Sequence, residues 1–338
     1  MSLTTVDEAS RRSTPPRAAT REELPVLDLT PLLAGGDLGS LARELRHACE
    51  TIGFFYVSHH GVPQQVVDNV FEATRRFFAL PESARAAIKL DDRFRRGWMP
   101  YGINQHPGFA PDLKESYEYA LDLPLTDPDV QAGLPLHGPN RWPADMPWLR
   151  GAAEAYFDET MALGMRLLRL FALSLGEPED FFLQYAKKPM VQTRLFHYPP
   201  QPPVARDAEF GVAPHSDYGM ITLLTQDPIG GLELRKRDGE WVAAPFIEGT
   251  FVVNLGDMFK VWTNDLYISN LHRVVNRSGR ERYSIPTFFN LDYSAPVSCL
   301  PQCQSASNPA RYAPIRSGDY LVSRFKSVQK IDQPVTRS

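Results

Sequence analysis

The chain has 338 residues, 43% of them apolar and 22% charged, with a formal net charge of −4, a globular profile with room for two domains or one large barrel with helical additions. No run approaches the roughly 18 continuous apolar residues of a membrane span, and Arg93, Arg95 and Arg96 form too short a basic cluster to support nucleic-acid binding. Three cysteines, Cys49, Cys299 and Cys303, are too few and too irregularly spaced for a disulfide framework, which points to a reducing cytoplasm.

Residues 1–23 are rich in Ser, Thr, Arg and Pro and have no apolar centre, so they read as a disordered tail and not as a secretory signal. Order is expected to begin with a short apolar strand at 24–29. An amphipathic helix over 41–51 and a strand at 54–57 follow. Val62-Pro63 opens a helix towards residue 79, with proline at an early position where its missing N–H is harmless. Residues 91–120, rich in Gly, Pro and aromatics, read as an irregular lid or pocket wall. A long helix is predicted over 147–175, ended by Gly176 and Pro178.

From residue 190 the pattern changes to short β-type runs at 191–198, 220–225, 232–234, 251–255 and 283–291. Asp238-Gly239 between two of these runs is a strong hairpin signal. Helix returns only around 317–326. The expectation is an α+β protein: a helical N-terminal region over 24–189 packed on a double-sheet barrel over 190–330.

His215-Ser-Asp217 is the first motif with chemical content. In an extended chain residues i and i+2 share a face, so an imidazole and a carboxylate can converge on one ion. His272 begins a later β-type run. Two histidines and a carboxylate form the facial triad that leaves open positions on iron(II). A bare His-x-Asp is a weak signal and is more often a polar loop pair. Its weight here comes from company: Arg282-Tyr-Ser284 on the next predicted strand, Tyr198-Pro-Pro on an earlier one, and Asn254-Leu-Gly-Asp257 between them.

These motifs, with Phe54-Phe-Tyr-Val-Ser-His-His-Gly, Lys114-Glu115, Gly230-Gly-Leu and Leu271-His-Arg-Val-Val, resemble the isopenicillin-N-synthase-like 2-oxoglutarate oxygenases, which include plant flavonoid and gibberellin oxidases and ethylene-forming enzyme. The resemblance covers nearly all of the chain after the tail. It implies a double-stranded β-helix (jelly-roll) core with iron held by His215, Asp217 and His272. It also implies that Arg282 and Ser284 bind the distal carboxylate of 2-oxoglutarate, with a further hydrogen bond from Tyr198. A guanidinium fork and a nearby hydroxyl suit a carboxylate. Phe196 stands where many plant members have Asn, and Gly102-Ile-Asn104 stands where ethylene-forming enzyme has acidic residues.

The implied reaction uses Fe(II), 2-oxoglutarate and O2, releases succinate and CO2, and oxidises a small-molecule metabolite, by default through hydroxylation. No partner beyond that small molecule is expected: no nucleic acid, no membrane. Alternatives are an oxidase of the same fold that does not consume 2-oxoglutarate, and a non-catalytic jelly-roll binding protein. Tyr101, Phe196 and Phe289 are the candidates for the substrate pocket, with core packing as the competing explanation for each. His197 is expected to have a structural or pocket role and not to bind the metal, and His47, His106 and His137 to be ordinary surface residues.

Overall fold

The computed structural model describes residues 15–106, 108–201 and 209–328. Two sheets frame it. The larger has eight strands in the order β1-β2-β10-β7-β12-β5-β4-β3. These are β1 (Val26–Asp28), β2 (Phe54–Ser58), β3 (Gly97–Met99), β4 (Glu115–Ala120), β5 (Gln192–Tyr198), β7 (Ile221–Gln226), β10 (Phe251–Leu255) and β12 (Arg282–Phe289). The smaller is β6 (Val212–His215), β8 (Leu232–Arg235), β9 (Trp241–Ala243) and β11 (His272–Val274), in the order β6-β11-β8-β9. Outside both, β13 (Pro296–Val297) pairs with β14 (Ile315–Arg316). After β5 the chain passes repeatedly between the two sheets. Their inner faces meet in apolar clusters: Phe196 and Tyr198 of β5 pack with Val212 of β6 and Val274 of β11.

The long helix forms over Pro147–Ser174, with proline in its first turn. It lies behind the large sheet, where Leu163, Leu167, Leu168 and Phe171 share one core with Leu223, Val253, Ile285 and Phe289. Gly164 permits the approach, since a Cβ there would sit 2.2 Å from the Phe289 ring. The helices Leu38–Thr51 and Gln64–Phe78 pack on the Pro147–Ser174 helix from outside. Asp37 caps the first, its Oδ1 accepting from Gly39 N at 2.8 Å. Gly53 follows that helix at φ 70°, pressed so closely on the Ile268 carbonyl that a Cβ would lie 1.9 Å from the oxygen. The Asp238-Gly239 turn joins β8 and β9 as expected, with Gly239 at φ 90°.

Three expectations need correction. The N-terminal half is less helical than expected: beside the two expected strands, β1 and β2, it supplies β3 and β4, and all four belong to the large sheet. Residues 91–120 are not irregular throughout: they contain β3 and β4, and every residue of β4 is buried. The tail does not extend to residue 23. Ala18 bridges Ala243, extending the small sheet, and Arg17 donates to Glu23 at 2.6 and 2.7 Å and to Glu240 at 2.9 and 3.0 Å. Residues 1–14 lie outside the described residues.

Candidate metal centre and co-substrate pocket

The two histidines meet through strand register. His215 ends β6, His272 begins β11, and the two are direct partners in the antiparallel ladder. Their ring centroids are 4.2 Å apart. Asp217, two residues past His215, brings Oδ1 to 3.7 Å from the Nε2 atoms of both. One donor atom from each of the three lies within 4.8 Å of the others.

Each ligand candidate is oriented through the atom it does not offer. His215 Nδ1 sits 2.8 Å from the Ala213 carbonyl and His272 Nδ1 3.2 Å from the Asn270 carbonyl. A carbonyl can only accept, so each Nδ1 carries the proton and each Nε2 lone pair is left for a metal. Burial, and then His272 and His106 nearby, hold the His215 imidazole well below its usual pKa, in the neutral form a metal requires. Asp217 Oδ2 accepts from Thr222 Oγ1 at 2.5 Å and Asn254 Nδ2 at 2.6 Å, leaving Oδ1 towards the histidines. The chain after Asp217 is clamped as well: Asp257 N donates to the Asp217 carbonyl at 2.8 Å, and Gly256 allows the close approach, since a Cβ there would lie 2.2 Å from Gly219 O. Two neutral imidazoles and one carboxylate on one side of a point fit iron(II) with positions left open.

The second group lies along β12. Arg282 and Ser284 project from the same face, and Tyr198 and Phe196 of β5 are their register partners. Arg282 is buried; its Nη1 donates to Ser284 Oγ and its Nη2 to Gln226 Oε1, each at 3.2 Å, and its Nε to the Gly230 carbonyl. Its Cζ lies 4.6 Å from the Tyr198 ring centroid. Its hydrogen bonds among the described residues all go to neutral oxygens; the Asp227 carboxylate acts on it through space but is not hydrogen-bonded to it, so the buried fork is suited to an anion that can bind it directly. A single cavity of about 150 Å³ reaches the three metal-ligand candidates, Arg282, Ser284 and Tyr198.

Two sequence profiles match the chain. One, described as non-haem dioxygenase in morphine synthesis N-terminal, covers residues 24–145; the other, the 2OG-Fe(II) oxygenase superfamily, covers 188–291. The chain is 35% identical over 311 residues to the 2-oxoglutarate-Fe(II) type oxidoreductase hxnY of Emericella nidulans, covering 89% of each chain. It is 34% identical to homoarginine-6-hydroxylase 2-ODD-C23 of Glycine max, covering 84% of this chain and 90% of that one. The crystal structure of a full-length Neurospora crassa protein in complex with alpha-KG and thymine superposes with a TM-score of 0.81 at 29% identity, covering 92% of this chain and 99% of that one. The chain belongs to the 2OG-Fe(II) oxygenase superfamily. It is an oxidoreductase that uses Fe(II), 2-oxoglutarate and O2 on a small molecule, and the paired sheets are the family's jelly roll.

In this oxygenase the three pocket candidates separate. Phe196 lines the cavity. Phe289 does not: it faces the opposite side of β12, fully buried against Gly164, while Arg282, Ser284, Pro286 and Phe288 alternate along the cavity face. Tyr101 is 48% exposed and outside the cavity wall.

His106 and His137 are not surface residues. His106 lines the cavity with its ring 5.2 Å from that of His215, and His137 is buried. His197 turns away from the cavity, its Nδ1 2.8 Å from Glu115 Oε1 and its ring stacked on Tyr283. Sequence reasoning missed the supports Thr222 and Asn254, the buried Lys114–Asp112 pair at 2.5 Å, and the wall residues Arg95, Arg194 and Phe325. Asn254 and Lys114 stand inside motifs already singled out, and a parity count along β12 would have exchanged Phe289 for Phe288.

Proposed function

We propose that His215, Asp217 and His272 hold the iron of this oxygenase, and that Arg282, Ser284 and Tyr198 hold the distal carboxylate of 2-oxoglutarate. The observation that carries this reading is one cavity with a three-donor cluster at one place and, at another, a buried guanidinium bonded only to neutral oxygens among the described residues. The row spacing fits. On β7, Thr222 holds Asp217 and Gln226 holds Arg282, four residues or about 13 Å apart at the usual rise. That span suits a five-carbon diacid between its anchor and a metal.

When bound, the metal would activate O2, one oxygen atom going into the succinate formed with CO2 from 2-oxoglutarate and the other serving to oxidise the prime substrate. The protein's residues do the rest. Arg282 and Ser284 fix the co-substrate by charge and hydrogen bond. Phe196, Leu224, Leu232 and Val274 exclude water around it. The prime substrate enters beside the triad, against Phe288 and Phe325, and is oxidised there, with hydroxylation as the expected outcome. The three cysteines are free thiols, in keeping with a reducing cytoplasm as the working location. The test is a metabolite screen read by substrate-stimulated succinate formation. Succinate that tracks oxidised product supports the reading; O2 consumption with product but no succinate would favour the same-fold oxidase.

A further inference from the structure

The cavity has a second cationic wall. The β5 residues facing it are Gln192, Arg194, Phe196 and Tyr198. Tyr198 pairs with Arg282 and Phe196 with Ser284, so that end belongs to the co-substrate. Gln192 pairs with Phe288, which pairs in turn with Thr222, the residue that holds Asp217. Arg194 lies between these rows: four residues, about 13 Å, along the strand from Tyr198, and two residues, about 7 Å, from both the Gln192 row of the metal-ligand support and the Phe196 row of Ser284.

The surroundings of Arg194 are those of a held but underused cation. Its register partner on β4, Glu118, is completely buried and stands behind the cavity wall. Arg194 Nε reaches Glu118 Oε1 only at 3.5 Å, and Arg95 Nη2 reaches Oε2 only at 3.6 Å. Gln192 takes the shorter bond to that carboxylate, Nε2 to Oε2 at 2.9 Å. Its Oε1 then accepts from Arg194 Nε at 3.3 Å and Nη2 at 2.9 Å. The guanidinium also lies over Phe288, Cζ 4.9 Å from the ring centroid. One edge of Arg194 is thus fixed by an amide and one face by a ring, and none of these contacts uses Nη1. A planar fork fixed in advance, with donors left over, is suited to a carboxylate. Arg95 lines the same stretch, its Cζ 4.9 Å from the Phe325 ring.

We infer that the prime substrate is a small monocarboxylate whose carboxylate binds Arg194, with Arg95 beside it, and whose body lies among Phe196, Phe288 and Phe325. The inference rests on the reading of this cavity as an Fe(II)/2-oxoglutarate site. The substrate is small because it shares this one cavity with the co-substrate and lies between the metal-ligand candidates and Phe288 and Phe325.

The test compares acids with their uncharged counterparts. Anaerobic Fe(II)-loaded protein is titrated calorimetrically with 2-oxoglutarate. In its presence it is then titrated with phenylacetate, 3-methylbutyrate and cyclohexanecarboxylate, and with the primary amide of each. At least one acid should bind tenfold or more tightly than its amide and stimulate succinate formation. Arg194→Gln should abolish that preference while leaving 2-oxoglutarate affinity within threefold. Arg194→Lys, which keeps the charge and loses the fork, should retain part of it. A panel in which no acid binds more tightly than its amide overturns the inference, as does an Arg194→Gln protein that keeps the preference. Loss of 2-oxoglutarate binding in Arg194→Gln also overturns it, by assigning Arg194 to the co-substrate. Failure of wild-type protein to bind 2-oxoglutarate is a different result, which removes the co-substrate reading itself.

Discussion

At the scale of single residues, each member of the proposed triad offers one donor atom and is oriented by its own hydrogen bonds, so each can be removed without unpacking the others. His215→Ala, Asp217→Ala and His272→Ala should each reduce O2 consumption to background, because an open three-ligand site has no donor to spare. Circular dichroism should stay near wild type; normal turnover in any of the three would remove that residue from the metal centre. Arg282 is tested against the keto acid. Removing one partner of a buried charge pair typically costs about 2–5 kcal/mol, which is roughly 30- to several-thousand-fold in affinity. Arg282→Ala should raise the KM for 2-oxoglutarate by that order. Any weak activity supported by pyruvate, which has no distal carboxylate, should hardly change. Ser284→Ala should cost less, about 1–3 kcal/mol, since it removes one hydrogen bond to a charged group. A 2-oxoglutarate KM within about threefold of wild type in Arg282→Ala would exclude it as the anchor, being well under one power of ten.

At the scale of elements, side-chain alternation decides what a residue does. Phe288 and Phe289 are neighbours on β12 with opposite surroundings, one on the cavity and one in the core beneath the Pro147–Ser174 helix. Phe289→Ala should destabilise the fold by about 3–5 kcal/mol, as large-to-small changes in a filled core do. Phe288→Ala should cost less stability and act mainly on turnover. Urea unfolding of both variants separates the cases, and equal losses would contradict the assignment of faces. The same alternation explains what is legible in the sequence. His215 with Asp217, and Arg282 with Ser284, are two apart, and a strand puts each pair on one side without any knowledge of the fold. Phe289 misleads because it is one residue out of step with that pattern. β4 is hidden for another reason. Its sequence, Glu115-Ser-Tyr-Glu-Tyr-Ala, looks solvent-facing, and its burial depends on distant partners: Arg85, Trp98 and His197 on Glu115, and Gln192, Arg194 and Arg95 around Glu118. No local pattern announces contacts made across 17 to 82 residues of chain. His106 misleads likewise, since only the closed barrel brings it beside His215.

At the scale of the whole molecule, the proposed ligands lie between the sheets. The histidines belong to the small sheet, while Arg282, Ser284 and Tyr198 belong to the large one. Asp217 follows the small sheet in sequence, yet its Oδ2 is held by Thr222 and Asn254 of the large one. A 2-oxoglutarate that chelates the metal and reaches Arg282 would tie the two walls together. Its binding should therefore depend on the metal, and the two should stabilise the fold jointly. A ligand at a hundred times its Kd adds about 2.7 kcal/mol to the folded state. In a domain of 150–250 residues each kcal/mol moves the melting temperature by about 2–4 °C, so a chain of 338 residues should shift by several degrees at most. The prediction is that metal and 2-oxoglutarate together, assayed anaerobically, raise the melting temperature by more than the sum of their separate effects. Mn(II) can replace Fe(II) to prevent turnover. Arg282→Ala should keep the shift from metal alone and lose most of the added shift from 2-oxoglutarate. Strictly additive shifts in the wild type would mean that the keto acid binds away from the metal, and the two ends of the cavity would then have to be assigned to different ligands.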